Sequence, residues 1–132
     1  MRVFVDTSAF LAILDADDKS HIRAKEVWTD LITQDAWLIC TNYVLVETFA
    51  LVQHRLGMQA IRAFQEDVLP VVGIEWVDEE CHRAGVSALL TAGRRQLSLV
   101  DCISFETMRQ LGLNKAFAFD HHFEEQGFNV IP

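Results

Sequence analysis

The chain has 132 residues, about half of them apolar (51%), which suits one domain with its own core and excludes a disordered or fibrous class. Its charge, 11 basic against 19 acidic residues for a net −8, excludes a protein that coats a phosphate backbone by bulk positive charge. The excess acid is therefore solvated surface, a docking face for a basic partner, or a cation site. Cys40, Cys81 and Cys102 are odd in number and lack metal-ligand spacing, so they are expected as free, buried thiols. No apolar run approaches the ~20 residues of a membrane span, and Asp6 and Asp15 interrupt the first one. A single cytoplasmic domain over residues 1–132 is expected.

RVFVD at the start reads as a short buried strand, and SAFLAILD switches toward helical period. SHIRAKEVWTDLITQ predicts an amphipathic helix capped by Ser20, with Ile22, Val27, Leu31 and Ile32 as its apolar stripe. WLIC is a second strand. Thr41 or Asn42 then caps the helix YVLVETFALVQHRLG, which Gly57 stops. MQAIRAFQEDVL continues as helix up to Pro70, and VVGIEWV is a third strand, weakened by Gly73. DEECHRAGVSALLTAG is helical from an acidic first turn, and GRRQLS is a basic loop. LVDCISFETMRQLG is helical up to Gly112, KAFAFD is a strand, HHFEEQG a helical turn and FNVI a last strand. Such alternation predicts an α/β domain: a three-layer α/β/α sandwich whose central sheet is mostly parallel. The strand order is not legible from these patterns.

In open α/β sheets ligands sit beyond the carboxyl ends of the strands. Asp6 and Asp120 stand at such ends, while Glu47 and Asp101 interrupt otherwise apolar helical runs. Singly, each has an ordinary explanation: Asp6 and Asp120 as caps or turn residues, Glu47 and Asp101 as partners in ion pairs. Together they would repel, each close pair by about 4 kcal/mol at about 4 Å and an effective dielectric of about 20. No lysine or arginine lies within these motifs, so a hard divalent ion, Mg²⁺ or Mn²⁺, is the expected counter-charge.

VFVDTSAF, NYVLVET, LSLVDCISF and FAFDHHF, in this order, resemble the four acidic motifs of PIN-domain nucleases, with VapC-type toxins and their small relatives nearest in pattern. The resemblance covers essentially the whole chain. It implies a Mg²⁺- or Mn²⁺-dependent endoribonuclease in which Asp6, Glu47, Asp101 and Asp120 are the catalytic and metal-binding acids. Thr7 or Ser8, and Ser104, match the family's accessory hydroxyls. The implied partners are an RNA substrate, a small antitoxin protein and, as often in the family, a second copy of the chain.

Arg94 and Arg95 are the only adjacent basic pair and candidate RNA contacts. His122 precedes Phe123 where a helix-start role is favoured over metal ligation, for it and for His121. Trp28, Trp37 and Trp76 read as core or interface residues. Phe10, Leu11 and Trp28 are either core or the lining of a partner groove. A receiver-type phosphoacceptor would need a second acid beside Asp6 and a lysine ending a late strand. Thr7 and Lys115 do not satisfy that pattern. An inactive PIN-like binding module is disfavoured because all four acids are present.

Overall fold

The computed structural model describes residues 1–132. Strands β1 (Arg2–Val5), β2 (Trp37–Thr41), β3 (Val72–Glu75), β4 (Lys115–Phe117) and β5 (Asn129–Ile131) form one all-parallel sheet in the order β3-β2-β1-β4-β5. The central strand is β1, whose Phe4 pairs with Ile39 on one side and Ala116 on the other. Val3, Phe4 and Val5 are fully buried, as a central strand covered on both faces requires.

The helices are α1 (Thr7–Leu14), α2 (His21–Thr33), α3 (Asn42–Leu56), α4 (Met58–Ala63), α5 (Glu79–Ala92), α6 (Leu99–Leu111) and α7 (His122–Glu125). Right-handed crossovers in this strand order put α1–α4 on one face and α5–α7 on the other. Aromatic contacts close the two layers: Phe10 meets Phe64 edge-on on the first side, and Phe105 meets Phe123 on the second, each with ring centroids 5.1 Å apart. No helix is long and apolar enough to cross a membrane.

Two features aim the helices at the carboxyl edge of the sheet. The Arg2 guanidinium donates to the carbonyls of Leu111 and Gly112 at 3.1 and 3.3 Å, holding the end of α6 at the amino edge. The start of α6, with Asp101, therefore lies at the carboxyl edge. The order of strands reverses between β1 and β4, making their ends the switch point where α/β sheets bind ligands.

Several expectations are corrected. Ser20 sits at the start of α2, but its hydroxyl makes no cap; its own N–H is taken by Asp18 Oδ1 at 2.7 Å. The buried stripe of α2 is Ala24, Val27 and Leu31, and Ile22 is 74% exposed because it falls outside that face. Trp37 and Trp76 are exposed, at the start of β2 and just past edge strand β3, so neither is core. Phe10 is fully buried and lines no groove. The helix expected up to Pro70 is regular only to Ala63; a π turn (Phe64–Val68) and a 3-10 turn (Leu69–Val71) follow. The wider turn places Phe64 and Val68 both in the core. The three cysteines are free and buried, as expected.

Candidate active site

Each acid is held by its own local structure. Asp6 caps α1, and its Oδ2 accepts from the Ser8 N–H at 3.1 Å and the Ser8 hydroxyl at 2.6 Å. Asp101 lies in a reciprocal capping box at the start of α6. Its N–H donates to Ser98 Oγ at 3.0 Å and its Oδ2 accepts from the Ser98 N–H at 3.1 Å. Asp120 forms an Asx turn after β4, with Oδ1 accepting the His122 N–H at 2.9 Å. Glu47 is half-buried on α3, one residue before buried Thr48, whose hydroxyl donates to Thr7 Oγ1 at 3.3 Å.

These local frames converge. Asp101, Asp120 and His122 bring ligand atoms within 4.8 Å of one another. Both Asp6 and Glu47 feel the negative charge of Asp101 and Asp120. Asp6, only 4% exposed, is pushed up to about 7, chiefly by burial and further by those two carboxylates, against the lowering effect of Ser8. Burial likewise raises Glu47, which the nearby Thr7 hydroxyl draws part of the way back. Asp101 is raised mainly by burial, with Ser98 opposing.

The donor set fits a hard divalent cation. The three arginine–carboxylate pairs of the molecule are Arg23–Glu26, Arg83–Glu79 and Arg94–Glu125, so none neutralises the cluster. Asp6, Asp101 and Asp120 each commit one oxygen to a protein N–H or O–H, and no protein donor reaches the other. Three anchored carboxylates with free oxygens, two of them (Asp6 and Asp101) where burial disfavours their charge, are what an oxygen-seeking cation requires.

Of the other expected residues, Thr7 and Ser8 lie at the cluster. Ser8 also accepts the Phe119 N–H. Ser104 turns its hydroxyl back to the Val100 carbonyl at 2.9 Å and makes no bond to the four acids. Arg94 is held by Glu125 at 3.0 Å, whereas exposed Arg95 has no carboxylate partner. Ser98 and Thr48 were not singled out in the sequence. For Ser98 the signal was present, since S-x-x-D before an apolar run is a capping-box pattern. The Thr48–Thr7 contact spans 41 positions and has no local signature.

The fold and this centre define a parallel α/β domain built around a carboxylate cluster at its switch point. The chain belongs to the PIN domain family, whose model matches residues 3–129. It is 34% identical over 127 residues to VapC20 of Mycobacterium tuberculosis, a 23S rRNA-specific endonuclease, with 96% of this chain and 95% of that one covered. The crystal structure of VapC20, a toxin that cleaves the sarcin–ricin loop, superposes with a TM-score of 0.84 at 33% identity over the same shares of the two chains. FitAcB of Neisseria gonorrhoeae has the same fold at 19% identity, with a TM-score of 0.70 over 100% of this chain and 97% of that one.

Proposed function

We propose that this chain is a Mg²⁺- or Mn²⁺-dependent endoribonuclease, the toxin of a toxin–antitoxin pair, acting on a structured RNA such as a ribosomal RNA loop. The observation that carries the reading is the partly buried cluster of Asp6, Glu47, Asp101 and Asp120 at the sheet's switch point, which no arginine pairs with. The 34% identity to a 23S rRNA-specific endonuclease supports the substrate class.

Asp6, Asp101 and Asp120 would hold the cation through the oxygens that their N–H and O–H donors leave free. When bound, such a cation polarises a phosphate oxygen and lets a water ionise near neutral pH. Ser8, Ser98 and the His122 N–H keep the three carboxylates from rotating, so the ligand geometry is set before substrate arrives. Glu47, half-buried on α3 and within range of the Asp101 and Asp120 charges, would position the attacking water through its carboxylate. No histidine base is needed, and products with 5′-phosphate and 3′-hydroxyl ends are expected.

The deciding experiment is cleavage of 23S rRNA in intact ribosomes by the purified protein with Mn²⁺ or Mg²⁺. Asp6→Asn and Asp101→Asn should each lower the rate by at least ~100-fold, since disturbing even a partner of a metal ligand costs about 10–100-fold. Unchanged cleavage by the folded double variant would refute the site. Cleavage of other RNA but never of ribosomal RNA would refute the substrate class alone.

A further inference from the structure

Beside the carboxylate centre, α7 carries a second group of ligand atoms with different chemistry. His121, His122 and Glu125, spaced H-H-x-x-E over one helical turn, bring one atom each within 4.8 Å of the others. His121 Nε2 lies 3.3 Å from Glu125 Oε1, and His122 Nδ1 lies 3.7 Å from Glu125 Oε2. We propose that these three residues form a second cation site, selective for an imidazole-seeking transition metal of the Zn²⁺ class.

His122 Nδ1 carries the argument furthest. The residue is 5% exposed, and this nitrogen has no hydrogen-bond partner. At 3.7 Å the Glu125 carboxylate is too far to serve as one. A buried polar atom without a partner is costly, and coordination satisfies it. The 3.3 Å between His121 Nε2 and Glu125 Oε1 matches the separation of two donors about 2.0–2.2 Å from a tetrahedral zinc, and the third donor lies within 4.8 Å of both. Two imidazoles and one carboxylate are a zinc-type set and a poor one for Mg²⁺, which prefers oxygen and retains its waters.

The surroundings orient these ligands. Arg94 Nη1 holds Glu125 Oε2 at 3.0 Å, leaving Oε1 toward His121. His122 Nε2 faces Asp120 Oδ1 at 3.8 Å, so a cation on Nδ1 places the ring proton on the side of that carboxylate. A ligating histidine commonly turns its other N–H to a carboxylate, and closing this 3.8 Å separation on metal binding would complete that arrangement here. His121 and Glu125 are exposed, which provides entry, and three protein ligands leave a position for water, as in exchangeable rather than closed sites.

The test is calorimetric titration with ZnCl₂ of the full chain carrying Asp6→Asn and Asp101→Asn, which disables the carboxylate centre and keeps α7. One Zn²⁺ per chain is expected. Adding His121→Ala or Glu125→Gln, both at exposed positions, should weaken binding at least ~10-fold, while MgCl₂ should not compete. Imidazole ¹⁵N spectra should report His122 metallated at Nδ1 and protonated at Nε2. The site is overturned by no Zn²⁺ uptake in the double-aspartate background, by affinity indifferent to His121→Ala and Glu125→Gln, or by ligation through His122 Nε2. Because no cleavage is measured, failure here leaves the ribonuclease reading untouched, and the reverse also holds.

Discussion

The Ser8 hydroxyl accepts the N–H of Phe119 at 2.9 Å, across 111 positions of chain, while donating to Asp6 Oδ2 at 2.6 Å. One oxygen thus joins the end of β1 to the end of β4 and holds a site carboxylate at the seam.

Replacing Ser8 with alanine should therefore be felt twice. The Phe119 N–H loses its partner in a partly buried place, an expected loss of about 1–2 kcal/mol in urea unfolding. Asp6 loses a hydrogen bond that lowers its pKa, so the carboxyl should titrate still higher. A Ser8→Ala protein of unchanged stability would deny the hydroxyl its joining role.

The metal-free protein should lose stability as pH rises from about 4 to about 7. A carboxyl held at about 7 in the fold, against an ordinary value of 3.8, keeps a proton that the unfolded chain has already released over that interval. The folded state is favoured fully below the lower value, and that advantage is gone above the upper one. About three pH units amount to roughly 4 kcal/mol from Asp6. Glu47 and Asp101 shift in the same direction. Urea midpoints in EDTA should fall across this window in the wild type and much less in Asp6→Asn. Adding Mn²⁺ should restore stability most strongly above about pH 7, where protons no longer compete. A wild-type profile as flat as that of Asp6→Asn would contradict the buried-charge account.

Arg95 and Arg94 should differ in RNA binding. Arg94 is engaged with Glu125, whereas Arg95 is exposed and has no carboxylate partner. In an Asp6→Asn background that prevents cleavage, Arg95→Ala should weaken RNA binding and lower the salt slope by about 1, as loss of one phosphate contact does. Fluorescence anisotropy at several salt concentrations measures both. An unchanged slope would remove Arg95 from the interface.

Gly85 on α5 lies tight against Ile103 of α6. A Cβ there would run into Ile103 Cδ1 and meet Cγ1 at 2.9 Å, and Ile103 is fully buried. Gly85→Ala gains about 1 kcal/mol of helix propensity but faces an overpacking penalty of about 1–3 kcal/mol. So short a contact points to the upper end, and a net loss is expected in thermal or urea unfolding. Ile103→Val removes the Cδ1 atom and should partly rescue the variant; additive losses would show that the two side chains do not collide.

How much was legible in the sequence follows the range of the forces involved. Alternating strands and helices, and four acids in apolar frames, are local patterns, and both survive in the fold. Strand order is not local: β1 is central only because β4, more than a hundred positions away, pairs with it. Pattern also misplaced the exposed Ile22, because helical period alone does not say which stripe faces the sheet. Residue type left Trp76 as core or interface, and the structure removes only the first, since a large aromatic just past an edge strand remains 72% exposed. At the site, the S-x-x-D signature of Ser98 was readable. The chain Arg94–Glu125–His122 was not, since its first link spans 31 positions.

The carboxylates come from positions 6, 47, 101 and 120, and the strand preceding the last of them is the one that completes the centre of the sheet. A growing chain therefore has nothing able to gather the four charges until most of it has been synthesised. A ribonuclease assembled in this order would stay inactive until its own synthesis was almost complete.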